Sequence, residues 1–108
     1  MGVIKGVLKE ELNNSLAMKI NYERELDKLP KGSLIKKKIK GHEYYYLVER
    51  KDGKVNFTYK GKVSDMPKEE IKMYANAKKY RAKYRKLLSQ VKKQIKYLRS
   101  ILRGKESI

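Results

Sequence analysis

The chain has no cysteine, so it can form no disulfide, no thiolate zinc site and no cysteine nucleophile. Tryptophan is absent too, proline occurs twice, and phenylalanine and histidine once each. A lone histidine, His42, among scattered carboxylates makes no metal site, and in a turn it is expected to be exposed. No apolar stretch approaches the roughly 20 residues of a membrane-spanning helix. The start, Met1 to Lys5, lacks the basic, apolar and small-residue layout of a signal peptide. Gly6 stands where a myristoylation motif needs Ser or Thr. A cytoplasmic setting is expected. No Ser-His-Asp set and no phosphate-cradling glycine loop occurs, so the residues point to a non-enzymatic protein without a cofactor.

Acidic residues are also scarce. Lys and Arg number 29 against 12 Asp and Glu, a net charge of +17 over 108 residues. That length fits a single domain, residues 1–108. Charge of this size opposes compaction, and an anionic partner relieves it. The excess is uneven. Residues 1–30 are neutral, residues 31–66 carry +6 and residues 67–108 carry +11.

Residues 5–29 read as a helix. Leu8, Leu12, Leu16 and Ile20 recur every four residues, and Tyr22, Leu26 and Leu29 extend the stripe. Glu10 and Glu11 lie near its start and Pro30 stops it. Residues 34–60 read as a three-stranded antiparallel meander: Leu34 to Lys40, Glu43 to about Arg50, and Lys54 to Lys60. Gly41-His42 supplies a tight turn, Asp52-Gly53 a type I′ hairpin turn, and Gly61 ends the last strand. Residues 67–103 read as a long basic helix of roughly 55 Å, capped by Ser64 or Asp65, with Pro67 in its first turn. Its seam runs Met73, Ala77, Tyr80, Tyr84, Leu87, Val91, Ile95, Leu98 and Leu102. The tail after Gly104 is expected to fray. The fold class is α+β, with the two helices paired as an antiparallel coiled coil and the meander at one end. The second helix exceeds the first by about a dozen residues. Its surplus seam at Leu98, Ile101 and Leu102 leaves room for a homodimer through the helices.

The densest basic run is Lys78-Lys79-Tyr80-Arg81-Ala82-Lys83-Tyr84-Arg85-Lys86. Lys79, Lys83 and Lys86 share a helix face, and Lys78, Arg81 and Arg85 form a second ridge. No carboxylate occurs between Ile71 and Lys105, whereas a merely solvated helix mixes signs. Such ridges suit phosphates. Tyr80 and Tyr84 could stack on bases, but their place on the seam assigns both to the core. The second basic patch is on the sheet. Lys36, Lys38 and Lys40 alternate on the first strand, and Lys54, Asn56, Thr58 and Lys60 on the third, opposite Val55, Phe57 and Tyr59. If Tyr44, Tyr46 and Val48 face the helices, Tyr45 lies among the lysines on the outer face. The expected function is nucleic-acid binding, to DNA or RNA, mainly through phosphates. The alternative is a protein-interaction module, such as a phage or mobile-element inhibitor or adaptor, that turns the same lysines on an acidic protein.

Leu29-Pro30-Lys31-Gly32-Ser33-Leu34, Gly41-His42-Glu43-Tyr44-Tyr45-Tyr46-Leu47, Asp52-Gly53-Lys54-Val55 and Tyr59-Lys60-Gly61-Lys62 together resemble a small group of uncharacterised microbial proteins. Those have a helix, a Tyr-rich hairpin and a Lys-rich terminal helix, and the resemblance implies no activity. Gly32-Ser33-Leu34-Ile35-Lys36-Lys37-Lys38, with the Tyr-rich strand and the third strand, is similar to the arm-type DNA-binding domain of tyrosine recombinases. In that family a three-stranded sheet enters the major groove. The resemblance implies that Lys36, Lys38, Tyr45, Asn56 and Thr58 face DNA. The long second helix and the added N-terminal helix depart from that family's pattern.

Overall fold

The computed structural model describes residues 2–106. The elements are α1 (Gly2–Lys28), β1 (Ser33–Ile39), β2 (His42–Lys51), β3 (Lys54–Lys62) and α2 (Lys68–Glu106). The α+β class and the order of elements follow the expectation. The chain forms two compact units. One is a helical hairpin of α1 with α2 from Ala82 onward, and the other runs from Leu29 to Arg81 and holds the sheet with the start of α2.

In the hairpin unit the helices pair antiparallel. Tyr22 meets Tyr84, with ring centroids 6.2 Å apart. Lys19 lines one groove with Lys92, Ile95 and Lys96, and Lys9 and Leu12 line another with Arg99 and Leu102. Falling numbers on α1 thus meet rising numbers on α2. Val91, Ile95, Leu98 and Leu102 are buried at spacings of four, three and four, which is the seam of a coiled coil. On α1, Leu8, Leu12, Ser15, Lys19, Tyr22 and Leu26 are covered, again at fours and threes, with Lys5, Leu16 and Glu25 half-buried at the flanks of this row. This corrects the every-fourth-residue stripe. A row of strict fours drifts around a helix of 3.6 residues per turn, so Ile20 rotates out to 58% exposure. Ser15, at 2% exposure, takes the inner place. Leu98 and Leu102 are buried within the hairpin, and Ile101 is half-buried. α1 begins at Gly2, with no acidic residue in its first turn, so Glu10 and Glu11 lie too far along to serve the helix dipole.

In the sheet unit the strand order is β1-β2-β3, antiparallel throughout. Asp52 and Gly53 both have positive φ, at 53° and 76°, which is the expected type I′ turn. The first hairpin turns at Lys40 and Gly41, with φ of 51° and 82°, and His42 already belongs to β2. β3 continues past Gly61 through a bulge. Tyr59 pairs with Tyr46 but Gly61 with Tyr45, which leaves Lys60 as the extra residue. The carbonyl of Pro67 accepts the first helical bonds of α2, from Glu70 N and Ile71 N. Pro67 therefore caps the helix where Ser64 or Asp65 was expected, and Glu69 and Glu70 complement its positive end. Helix α2 runs through Gly104 to Glu106, and the end of the tail expected to fray lies outside the described residues.

The sheet buries the face opposite to the one expected. Tyr45 and Leu47 are each 6% exposed, and Met66 and Ala77 complete the buried apolar set of this unit. Tyr45 shares its side with Lys36, its partner on β1, so the lysine-bearing face is the covered one. Val55, Phe57 and Tyr59 point to the opposite side and are about half exposed.

Candidate nucleic-acid interface

Among the described residues, the lysines and arginines of α2 form no ion pair. The pairs that these residues do contain are Lys19–Glu23, Lys28–Glu25 and Lys60–Glu70. Of the residues expected to meet phosphates, Lys78 and Lys79 are exposed in the sheet unit, and Lys83, Arg85 and Lys86 in the hairpin unit. Lys83 also lies over the Tyr84 ring, 5.9 Å from its centroid.

Arg81 does something else. Its Nη2 donates to the carbonyl oxygens of Pro30, at 2.6 Å, and Gly32, at 3.3 Å. This partly buried guanidinium ties α2 to the loop that enters β1, where Gly32 holds φ at +94°. A Cβ on Gly32 would sit 2.9 Å from Leu47 Cδ1, so the close approach requires glycine. Arg81 is a structural clamp, and Tyr80, assigned above to the core, turns out to 46% exposure. Tyr84 keeps its expected place against Tyr22.

Residues further along α2 supply cations that the sequence reading passed over. Lys92, Lys96, Arg99 and Arg103 follow at spacings of four, three and four, each one residue after a buried seam position. They share a face and, with Lys19 of α1, line a groove of about 280 Å³. The signal was present in the sequence as a basic residue following Val91, Ile95, Leu98 and Leu102 in turn.

On the sheet, Lys36, Lys38, Lys40, Lys54, Asn56 and Thr58 are exposed. Lys60 is held by Glu70 at 3.7 Å. Tyr45 is core, with Lys36 Nζ 5.8 Å from its ring centroid, so it is not available on an outer face. The opposite face carries Tyr44, Tyr46, Phe57 and Tyr59. Tyr59 lies 5.6 Å from Tyr46 and 6.1 Å from Tyr44 between ring centroids. Lys37 reaches across the strands, its Nζ 5.0 Å from the Tyr46 centroid and 4.4 Å from that of Phe57. His42 is exposed at the start of β2. Among the described residues no group of three or more His, Cys, Asp or Glu is placed to hold a metal ion. No described helix is long and apolar enough to cross a membrane.

Residues 8–72 match the family described as Domain of unknown function (DUF6788). No curated protein and no solved structure matches the chain.

Proposed function

The chain belongs to this uncharacterised family, and its match takes in most of α1, the whole sheet and the first turn of α2. We propose that the protein binds nucleic acid, DNA or RNA, mainly through phosphate contacts from the cations of α2 and the exposed lysines of the sheet unit. One observation carries this reading: from Lys68 to Arg103 no described lysine or arginine of α2 forms an ion pair, and after Glu70 that stretch has no carboxylate. Like charges at helical spacing destabilise a helix, and phosphates of a polynucleotide neutralise them with release of counterions. Asn56 and Thr58 add exposed hydrogen-bonding groups beside the sheet lysines. A cytoplasmic setting, where polynucleotides are at hand, suits a chain without cysteine.

The test is the salt dependence of binding to DNA and RNA. Affinity should fall steeply, with a log–log slope of about −0.9 per neutralised phosphate on duplex DNA. Replacing Lys79, Lys83 and Lys86 by Gln should flatten that slope. An unchanged slope would remove this part of α2 from the interface. Absence of binding to any polynucleotide at low salt, with binding to a purified acidic protein, would transfer the same cations to a protein partner.

A further inference from the structure

We propose that the bare face of the sheet is a stacking platform for single-stranded nucleic acid. Unpaired bases lie on Tyr44, Phe57 and Tyr59, and the backbone is drawn to Lys37, Arg50 and Lys62. This rests on the nucleic-acid reading above and specifies the form of polymer that the protein takes.

Exposure is the first ground. Phe57 is 53% exposed and Tyr59 is 56% exposed, beside Val55 at 48% on the same face of β3. A contiguous apolar patch of this kind on a small protein marks a surface that meets a partner. The second ground is charge. By register, Lys37, Arg50 and Lys62 share this face, while the two strand carboxylates, Glu43 and Glu49, lie on the reverse. A second copy would set three like cations against three, on molecules that each carry +17. The occupant is therefore anionic, and it must also offer flat apolar surface. Bases on a phosphate chain offer both. In a duplex the base faces are hidden in the stack, so only a single strand can use the rings.

Geometry is the third ground. Phe57 and Tyr59 stand two residues apart on one strand, roughly 7 Å. That is about twice the ~3.4 Å rise per stacked nucleotide, so successive bases separate and take one ring each. The tilted contacts with Tyr44 and Tyr46 hold the Tyr59 ring in place. Lys37 now covers the Phe57 ring at 4.4 Å. Its flexible stem lets the ammonium swing to a phosphate and open that ring to a base. The rings and ammonium groups do not distinguish one sugar from the other, so DNA and RNA strands both bind.

The experiment compares one labelled mixed-sequence oligonucleotide as single-stranded DNA, as single-stranded RNA and as duplex DNA, at low salt. Wild type is set beside the Phe57→Leu/Tyr59→Leu variant. Wild type should favour both single strands over duplex by about tenfold or more, and the variant should lose about tenfold per ring on single strands alone. An unchanged denaturation midpoint shows that the variant is folded. If wild type prefers duplex, or the folded variant keeps its single-strand affinity, the platform is overturned and the phosphate reading stands. If wild type binds none of the three, both fail. A wild-type dimer by light scattering that the same substitutions split would assign the face to a second copy and overturn the platform.

Discussion

The two faces of the three-stranded sheet differ in the reverse of the usual sense. The face with Lys36, Lys38, Asn56 and Thr58 contains the buried pair Tyr45 and Leu47. The face with Val55, Phe57 and Tyr59 is left to solvent. A sheet covered on one side normally turns its apolar alternation inward. Here the covered side is settled by two residues of the central strand and by Arg81, whose bonds to Pro30 and Gly32 draw α2 against the β1 entry. A departure from consistent patterning is expected where function is served, and the proposed stacking platform would account for the exposed rings.

Substitutions can break or sharpen this contrast. Leu47→Ala should cost about 2–5 kcal/mol, as for a large-to-small change in a core, read from the urea denaturation midpoint. Arg81→Met should cost about 1.5–3 kcal/mol, the range for hydrogen bonds to charged groups. Arg81→Lys should rescue little, because an ammonium lacks the planar fork that spans two carbonyls. Gly32→Ala should cost about 1–3 kcal/mol, because a side chain is forced to positive φ while its Cβ presses on Leu47. Phe57→Leu should change stability by only about 0.5 kcal/mol, as at an ordinary surface position. If Phe57→Leu proved as damaging as Leu47→Ala, the two faces would be alike and the contrast would vanish.

Much of this was legible in the sequence. The two helices, their antiparallel pairing, the strand order and the Asp52-Gly53 turn all came from periodicity and turn chemistry, which are local. Which positions lie inward was less legible. Tyr80 competes with Arg81 for one seam position, and apolar content favours the tyrosine. The arginine wins because its apolar stem can lie along the seam while its head reaches two backbone carbonyls some fifty residues earlier in the chain. Lys19 displaces Ile20 by a related route, with its head drawn out toward Glu23 at 3.9 Å. The choice of sheet face was hidden for another reason. β2 carries tyrosines on both sides, so alternation alone cannot say which face is covered. The basic row at Lys92, Lys96, Arg99 and Arg103 was legible in spacing alone, but the Lys78–Lys86 cluster is denser and drew the reading first.

Phe57 is the chain's single phenylalanine, so selective ring labelling gives one residue's signal on the bare face. Titrating a single-stranded oligonucleotide into the labelled protein and following that ring by NMR reports directly on stacking. The ring resonances should move upfield as a base settles over them, and duplex of the same sequence should leave them in place. A Phe57 signal that stays still at saturation, while backbone amides of α2 shift, would contradict the account.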